Sequence, residues 1–340
     1  MESCFLKEVQ DTAEKVNKLR EEGCFCFQVI ADSHVSPLND KNLSRQYRSY
    51  ETIKAVSDAA DFHAIFHLGD LLGINATQES RDYWSEENVE KWFEITRENL
   101  CAANPNTYFI AGNHDSVQGY PPERPWWYGQ MVEFQKDRIT GCVKNEPYYY
   151  VDFADVKVRA ICLMSNYRED GKDYYGVYKE QVDWLAQDAL LAPDGWHILL
   201  FTHIGPVEGL GYVSHSNDNI TEFAAFLTAF QNKEKFASSV FSVDFRNAGT
   251  AKIVAMFVGH GHTDWILKPG ILPCYLVETG SSLSHMPKRE TWTMPADAVV
   301  PKREYNTVTE DIWDAVVFNP QKGTLDMIRF GAGDDRHIDL

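Results

Sequence analysis

Short apolar runs alternate with amphipathic segments along the first two thirds of the chain. Five of these runs are predicted to be buried strands: Cys24–Ala31, Ala64–Leu68, Thr107–Ala111, His197–Thr202 and Ile253–Val258. The amphipathic segments Ser85–Leu100 and Lys179–Leu191 are predicted helices, and the first opens with a capping Ser followed by glutamates. Regular alternation of strands and helices is typical of an α/β fold.

Two further pairs of apolar runs predict antiparallel hairpins. Tyr148–Phe153 and Val156–Met164 flank a short turn, and Asp314–Phe318 and Thr324–Phe330 flank a loop that contains Pro and Gly. The sheets are therefore expected to be mixed. No linker rich in Pro, Gly or Ser divides the chain, so we expect one domain over residues 1–340.

Composition and charge narrow the possible partners. The 340 residues include 32 Lys and Arg and 50 Asp and Glu, which gives a net charge of −18. Such a chain repels nucleic acids and anionic membranes, so a phosphate-bearing ligand would need a local positive device such as metal ions. The chain has no apolar run of about 18 residues, its N-terminal segment is charged, and its seven cysteines form no Cys-x-x-Cys pair. These features predict a cytoplasmic protein with no membrane partner.

Two irregular segments interrupt the pattern. Residues 116–146 are rich in Pro and aromatic residues, and residues 205–219 are rich in Gly. Long irregular loops in compact domains are often functional, so both are candidate substrate-loop insertions. The alternative is a pair of packed surface loops.

Polar residues follow each of the five predicted strands where the strand ends. They are Asp32, His34, Asp70, Asn113, His114, His203, His260 and His262. Because ligands bind outside the carboxyl ends of strands in α/β sheets, these side chains are expected to converge on one edge. Carboxylate, amide and imidazole groups suit divalent ions such as Mn²⁺, Fe²⁺, Zn²⁺ or Mg²⁺. Two ions about 3.5–4 Å apart need a bridging ligand, which the carboxylate of Asp70 can supply.

The ordered motifs Asp-x-His, Gly-Asp, Gly-Asn-His-Asp, His and Gly-His-x-His resemble those of the calcineurin-like metallophosphoesterase superfamily, in its bacterial-type group. The resemblance implies a four-layer αββα sandwich and two bound divalent metal ions. It implies that one ion is held by Asp32, His34, Asp70 and His262. It implies that the other is held by Asp70, Asn113, His203 and His260.

The same resemblance implies a mechanism. A hydroxide that bridges the two metals would attack phosphorus in line, and His114 would serve as the general acid. Gly73 stands where purple acid phosphatases have a Tyr ligand, and the second acid and the Arg of protein phosphatases are missing after Asp70. Neither of those activities is therefore expected. The partner that orients His114 stays open, with Asp115 as a candidate.

The expected substrate is a small phosphodiester or pyrophosphate that resembles a nucleotide or a lipid headgroup. Two alternatives remain open: a nuclease of the same superfamily, and a non-catalytic metal-binding scaffold module. Four residues are candidate substrate contacts, although a turn, a helix face or loop packing would equally account for them. They are Asn75, Arg48, His215 and Trp127.

Overall fold

The computed structural model describes most of the chain. The described residues are 3–74, 77–115, 131, 135–137, 139–142, 146–169, 172–177, 179–206, 220–238, 241–268, 270, 272–280 and 298–340. The described helices are α1 (Ser3–Leu19), α2 (Asp40–Ala59), α3 (Gln78–Tyr83), α4 (Glu86–Ala103), α5 (Lys179–Trp184) and α6 (Ile220–Asn232).

The described strands fall into two large sheets and two short hairpins. They are β1 (Phe25–Ile30), β2 (Ala64–His67), β3 (Thr107–Phe109), β4 (Gly141–Cys142), β5 (Tyr149–Phe153), β6 (Val158–Cys162), β7 (Asn166–Glu169), β8 (Lys172–Tyr175), β9 (His197–Phe201), β10 (Lys235–Ala237), β11 (Ser242–Asp244), β12 (Lys252–Val258), β13 (Trp265–Leu267), β14 (Tyr275–Glu278), β15 (Ile312–Asn319), β16 (Thr324–Gly331) and β17 (Arg336–Asp339). Each of the five runs predicted as strands coincides with a strand of the structure to within two residues at either end.

Both large sheets are mixed, as predicted. The first has the order β17-β16-β15-β1-β2-β3, in which β1, β2 and β3 are parallel and β15 pairs antiparallel with β1. The second has the order β13-β14-β12-β9-β6-β5-β4, with β6, β9, β12 and β14 parallel. Both predicted hairpins are present, as β5–β6 and β15–β16. Strands β1–β3 are parallel in the first sheet, and β9 and β12 are parallel in the second, so within each sheet the residues that follow these strands lie at the same edge.

The two sheets pack face to face around an apolar core. Alternate residues of each strand point into it, as the two-residue period of a strand requires. Phe66 of β2 stacks on Phe201 of β9, with ring centroids 3.9 Å apart and an angle of 11° between the rings. Phe27 meets both Phe201 and Phe257 edge to face. These contacts hold one sheet directly against the other.

Helices cover the outer faces of the sheets. Helix α1 packs on β15 and β16 and on α2, which in turn packs on α4. Helix α6 lies against β12. The side-chain amide of Gln231 donates to the carbonyl of Ile253 and accepts from the N–H of the same residue. The Ser85 hydroxyl accepts from the Asn88 N–H and so caps α4, as the sequence predicts. The molecule thus has two mixed sheets with helices outside them.

One predicted helix differs in the structure, and most of the two predicted loop segments lies outside the described residues. The helix that begins at Lys179 is α-helical only to Trp184 and continues as a π-helical turn over Leu185–Ala189. Most of segments 116–146 and 205–219 lies outside the described residues. Among the described residues, no helix is both long and apolar enough to span a membrane.

Candidate metal centre

The backbone of the two sheets carries on into the loops that follow the strands. The N–H of Asp32 donates to the carbonyl of Gly69 over 3.0 Å, and the N–H of His34 donates to the carbonyl of Asp70 over 2.9 Å. In the second sheet, the N–H of Gly259 donates to the carbonyl of His203 over 3.0 Å. These bonds fix the loops against one another, so the side chains they carry have defined positions.

Five of the predicted site residues have a left-handed backbone. Their φ angles are 53° at Asp32, 45° at His34, 51° at Asp70, 75° at His260 and 56° at His262. A non-glycine residue in this region costs on the order of 1–3 kcal/mol, and such strain clusters at functional sites. These five strained residues are therefore among those that the sequence motifs predict for the site.

Glycines beside these residues allow close approach of the backbone. A Cβ at Gly112 would lie 2.2 Å from Oδ1 of Asp70, and a Cβ at Gly259 would lie 2.7 Å from Oδ2 of Asp32. Neither distance is compatible with a side chain, so any larger residue would displace a carboxylate of the site.

The first group of converging side chains comes from both sheets. It consists of Asp32, His34, Asp70 and His262, whose candidate ligand atoms lie within 4.8 Å of one another. The Nε2 atoms of His34 and His262 are 3.0 Å apart, and Nε2 of His262 is 3.2 Å from Oδ1 of Asp32. The backbone N–H of His260 donates to both oxygens of Asp32, which fixes this carboxylate.

The second group shares Asp70 with the first. Asp70, His203 and His260 also offer atoms within 4.8 Å of one another. Oδ1 of Asn113 lies 3.0 Å from Nε2 of His203 and 2.9 Å from Nδ1 of His260, so this amide oxygen joins the group.

Asp70 occupies the position between the two groups. Its Oδ1 accepts a hydrogen bond from the backbone N–H of His114 over 2.7 Å. Its Oδ2 faces Nε2 of His34 at 3.6 Å and Nε2 of His203 at 3.3 Å, one histidine from each group. This oxygen has the placement of a bridging ligand.

Burial and charge set the protonation of the histidines. Burial lowers the pKa of both His34 and His260 well below the ordinary value, which leaves neutral rings with a free nitrogen lone pair. Burial also opposes protonation of His203, but the carboxylates of Asp70 and Asp32 outweigh it and raise the pKa of His203 to about 9. The same negative field favours a cation at this place.

The donor set fits divalent metal ions. Nδ1 of His203 donates to the carbonyl of Leu68 over 2.8 Å, so Nε2 is the nitrogen that faces the oxygens of Asn113 and Asp70 and could exchange its proton for a metal ion. Acceptor atoms that face one another at these distances need a proton or a metal ion between them. Imidazole, carboxylate and amide groups are ordinary ligands of Mn²⁺, Fe²⁺, Zn²⁺ and Mg²⁺. The arrangement is a candidate dinuclear centre.

His114 lies at the rim of the first group. Its ring is 4.9 Å from the ring of His34, centroid to centroid, and its Nδ1 lies 2.6 Å from the carbonyl oxygen of Ile74. Nδ1 therefore carries a proton, and Nε2 is the atom available to a bound molecule.

The sequence left the partner of His114 open, with Asp115 as a candidate, and the structure gives the carbonyl of Ile74 instead. The carboxylate of Asp115 accepts from the N–H of Leu72 over 3.0 Å and from that of Gly112 over 2.8 Å. Burial, and then the charge of Asp70, raise the pKa of Asp115 to about 8. Asp115 thus links the loop after β2 to the loop after β3, and a backbone carbonyl orients His114.

His67, the last residue of β2, contacts residues of two of the loops that carry the site. Its Nε2 lies 2.7 Å from the hydroxyl of Ser33, and its Nδ1 accepts from the N–H of Gly69 over 3.3 Å. Burial lowers its pKa to about 3, so the ring is neutral. His67 therefore links the loop after β1 to the loop after β2.

The four predicted substrate contacts lie elsewhere or outside the described residues. Arg48 on α2 donates to both carboxylate oxygens of Glu310, at 2.5 and 2.8 Å, and is thereby engaged in an ion pair. Asn75, Trp127 and His215 lie outside the described residues.

Comparison with known proteins identifies the family. The model of the calcineurin-like phosphoesterase family matches residues 27–264, which include every residue of both groups. The chain belongs to the calcineurin-like phosphoesterase family. A search of curated proteins gives no match.

One of the solved structures compared shares the fold at low sequence identity, and two others give lower scores. A dimetal phosphatase from Danio rerio superposes with a TM-score of 0.57 at 11% identity, covering 93% of this chain and 98% of that one. GAP50, the anchor in the inner membrane complex of Plasmodium, gives a TM-score of 0.43 at 10% identity over 86% and 83% of the two chains. Phosphopantetheinyl hydrolase from Mycobacterium tuberculosis gives 0.35 at 9% identity over 77% and 91%.

Proposed function

We propose that this protein is a hydrolase of small phosphodiesters or pyrophosphates that works with two divalent metal ions. The observation that carries the proposal is the position of Asp70 Oδ2 between His34 and His203, one histidine from each ligand group. A carboxylate oxygen so placed is what a dinuclear site requires.

The seven side chains divide between two ions. Asp32, His34, Asp70 and His262 would hold the first, and Asp70, Asn113, His203 and His260 would hold the second. When bound, the ions would supply Lewis acidity toward a phosphoryl oxygen and lower the pKa of water. Mn²⁺ is the ion we would test first, because mixed nitrogen and oxygen ligands suit it.

His114 is proposed as the general acid. Its Nδ1–H is held by the carbonyl of Ile74, so a proton on Nε2 can be given to the oxygen of a leaving group. Its backbone N–H is held by Asp70, which keeps the ring at a constant distance from the candidate bridging carboxylate.

The charge of the chain supports a small substrate. A net charge of −18 repels a long polyanion, while two divalent ions beside the carboxylates of Asp32 and Asp70 leave a local excess of positive charge. A compact phosphate ester can use that local charge without contacting much of the acidic surface. We propose that segments 116–146 and 205–219 select the substrate within a single domain over residues 1–340.

The test is the hydrolysis of p-nitrophenyl phosphate and bis-p-nitrophenyl phosphate side by side, with Mn²⁺ and with a chelator. The expected result is turnover that the chelator abolishes and that favours the diester. Turnover of the monoester alone would contradict the phosphodiester assignment.

A second set of substrates separates the alternatives. Dinucleotides and nucleotide pyrophosphates are expected to react, whereas single-stranded DNA and RNA are not. Cleavage of nucleic acid that falls steeply with added salt would instead support a nuclease. Two bound Mn²⁺ ions with no turnover of any ester would support a scaffold module.

A further inference from the structure

A buried ion network joins the two sheets beside the candidate metal centre. Its members are Asp264, Asp314, Arg329 and Arg336. Asp264 follows the loop after β12 that carries His260 and His262, whereas the other three belong to β15, β16 and β17 of the first sheet. Arg329 and Asp314 are almost inaccessible to solvent, at 3% and 0% exposure.

Arg329 is the centre of this network because it contacts a carboxylate on each side. Its Nη2 and Nη1 donate to the two oxygens of Asp264, at 2.9 and 2.5 Å, and its Nε donates to Oδ1 of Asp314 at 2.9 Å. Asp314 lies directly opposite Arg329 in the ladder between β15 and β16. A planar guanidinium that engages Asp264 with two parallel bonds fixes direction as well as distance.

The chain after β16 is shaped around the same guanidinium. The carbonyl of Ala332 accepts from Nη1 of Arg329 over 2.8 Å. Gly333 has a φ of 103°, and a Cβ at this position would lie 2.5 Å from that nitrogen. The backbone N–H of Arg329 donates to Oδ1 of Asp335 over 2.9 Å. These contacts leave the guanidinium a single position.

Arg336 of β17 makes a second connection between the first sheet and the region of the loop that carries His260 and His262. Arg336 donates to the carboxylate of Asp314 and, over 2.7 Å, to the carbonyl of Glu278. Oδ1 of Asp264 also accepts from the N–H of Gly280 over 3.0 Å. The N–H of Thr263 donates to the carboxyl of Glu278 over 3.1 Å. Thr263 and Asp264, which follow the ligand loop, are thus each held by a hydrogen bond.

The position of this loop relative to the first sheet determines the ligand geometry. His262 is grouped with Asp32, His34 and Asp70, which all follow strands of the first sheet, and His260 is grouped with Asp70 and His203. A shift of the loop would therefore lengthen one distance in each group. Supporting groups of this kind contribute to metal affinity because they orient the ligands.

We propose that Arg329 is a positioning residue for the metal-ligand loop, holding Asp264 so that His260 and His262 meet the carboxylates of the first sheet. This inference rests on the proposed function, since it assigns Arg329 to the same centre. The guanidinium of Arg329 bonds to Asp264, Asp314 and Ala332, so it acts on the two histidines through Asp264.

The test compares Arg329→Gln with a matched control, Arg159→Gln. Arg159 is also buried, at 6% exposure, and donates two bonds of 2.7 and 2.8 Å to Asp152 from strand β6. Each chelator-treated protein is titrated with Mn²⁺, and free Mn²⁺ is read by electron paramagnetic resonance. Circular dichroism and the thermal midpoint without metal report the fold.

The expected result is Mn²⁺ affinity about 10–100-fold weaker in Arg329→Gln, as for other changes of a supporting group. Arg159→Gln is expected to lose thermal stability to a similar degree and to keep its Mn²⁺ affinity. A folded Arg329→Gln protein with wild-type affinity, or an equal loss of affinity in both variants, would overturn the proposal.

Two further variants keep the proposal testable if Arg329→Gln does not fold. Arg329→Lys retains the charge but lacks the planar guanidinium that makes two parallel bonds to Asp264, and is expected to bind Mn²⁺ more weakly than the wild type. Asp264→Asn can still accept from Gly280, and is also expected to bind more weakly. Wild-type affinity in either folded variant would overturn the positioning role.

The outcome for the wild type separates this proposal from the proposed function. A wild-type protein that binds two Mn²⁺ ions but hydrolyses no ester would contradict the hydrolase, while the affinities of the variants would still decide the role of Arg329. A wild-type protein that hydrolyses esters with no effect of Arg329→Gln on Mn²⁺ binding would overturn only the role of Arg329. A wild-type protein that binds no Mn²⁺ would overturn both.

Discussion

The backbone N–H of His114 donates a hydrogen bond to Oδ1 of Asp70 over 2.7 Å. Because Oδ1 is engaged in this way, Oδ2 is the oxygen that faces His34 and His203. One bond thus orients the candidate bridging carboxylate and also places the candidate general acid beside it.

Asp70→Asn is expected to weaken the binding of both metal ions. The amide keeps an acceptor for the N–H of His114 but removes the negative charge that both groups share. The loss should exceed the about 10–100-fold typical of a supporting residue, because a ligand itself is changed. Equilibrium dialysis with metal analysis measures it, with Asp155→Asn as an exposed control. Loss of only one ion would contradict the bridging position.

His114→Ala is expected to retain both metal ions and to lower kcat by about 10²–10⁴-fold. The ring supplies a proton in the proposed reaction but is not among the grouped ligands of the described residues. Turnover of bis-p-nitrophenyl phosphate and Mn²⁺ titration are measured on the same preparation. His337→Ala removes a half-exposed histidine on β17 and should change neither. If His114→Ala instead lost metal, the role given to His114 would be wrong.

Gly112→Ala is expected to displace Asp70 and so to weaken metal binding. The added Cβ would lie 2.2 Å from both the backbone nitrogen and Oδ1 of Asp70, which forces a movement of the loop. Overpacking of this kind costs about 1–3 kcal/mol of stability. The control is Gly270→Ala, where a Cβ would meet no atom of the described residues within 4 Å. Equal thermal midpoints and equal Mn²⁺ affinities in the two variants would refute the steric account.

Stability in acid is expected to depend on Asp314. Burial opposes ionisation of this carboxyl, but Arg329 and Arg336 outweigh it and hold its pKa below the ordinary value. The resulting stabilisation is fully present above the unfolded pKa of about 3.9 and is lost as the pH falls through the lower folded value.

Urea unfolding at a series of pH values between neutral and acid measures this effect. Asp314→Asn should be less stable at neutral pH by about 3–5 kcal/mol, because buried arginines lose a partner. Its stability should also fall less between pH 4 and lower pH than that of the wild type. An unchanged acid profile would show that Asp314 does not contribute to the acid sensitivity.

Much of the fold could be predicted because its signals are local. A buried strand such as Phe25–Ile30 is an uninterrupted apolar run, and a hairpin such as β15–β16 is two runs around turn residues. Helix α4 could be bounded from its capping Ser85. The end of α5 at Trp184 could not, because the apolar residues continue past Trp184 to Leu191 and their pattern does not distinguish a π-helical turn from an α-helical one.

The candidate site could also be predicted in its composition. Asp32, His34 and Asp70 directly follow strands, and parallel strands of one sheet end at the same edge. That rule predicts which residues lie close together without any knowledge of side-chain contacts. It does not identify the residues that hold them, so the support that Ser33 receives from His67 and the bracing role of Asp115 were not predicted.

Local patterns in the sequence were thus enough to predict the five central strands, the two hairpins, the mixed sheets and the polar residues at the strand ends, because each depends on residues close together in the chain. The groups that these polar residues contact depend on the tertiary structure. His114 is oriented by the carbonyl of Ile74, Arg48 pairs with Glu310, and Arg329 joins Asp264 to Asp314. These partners are 15 to 262 residues apart in the chain. Such contacts form only when strands and loops from distant parts of the chain are packed together.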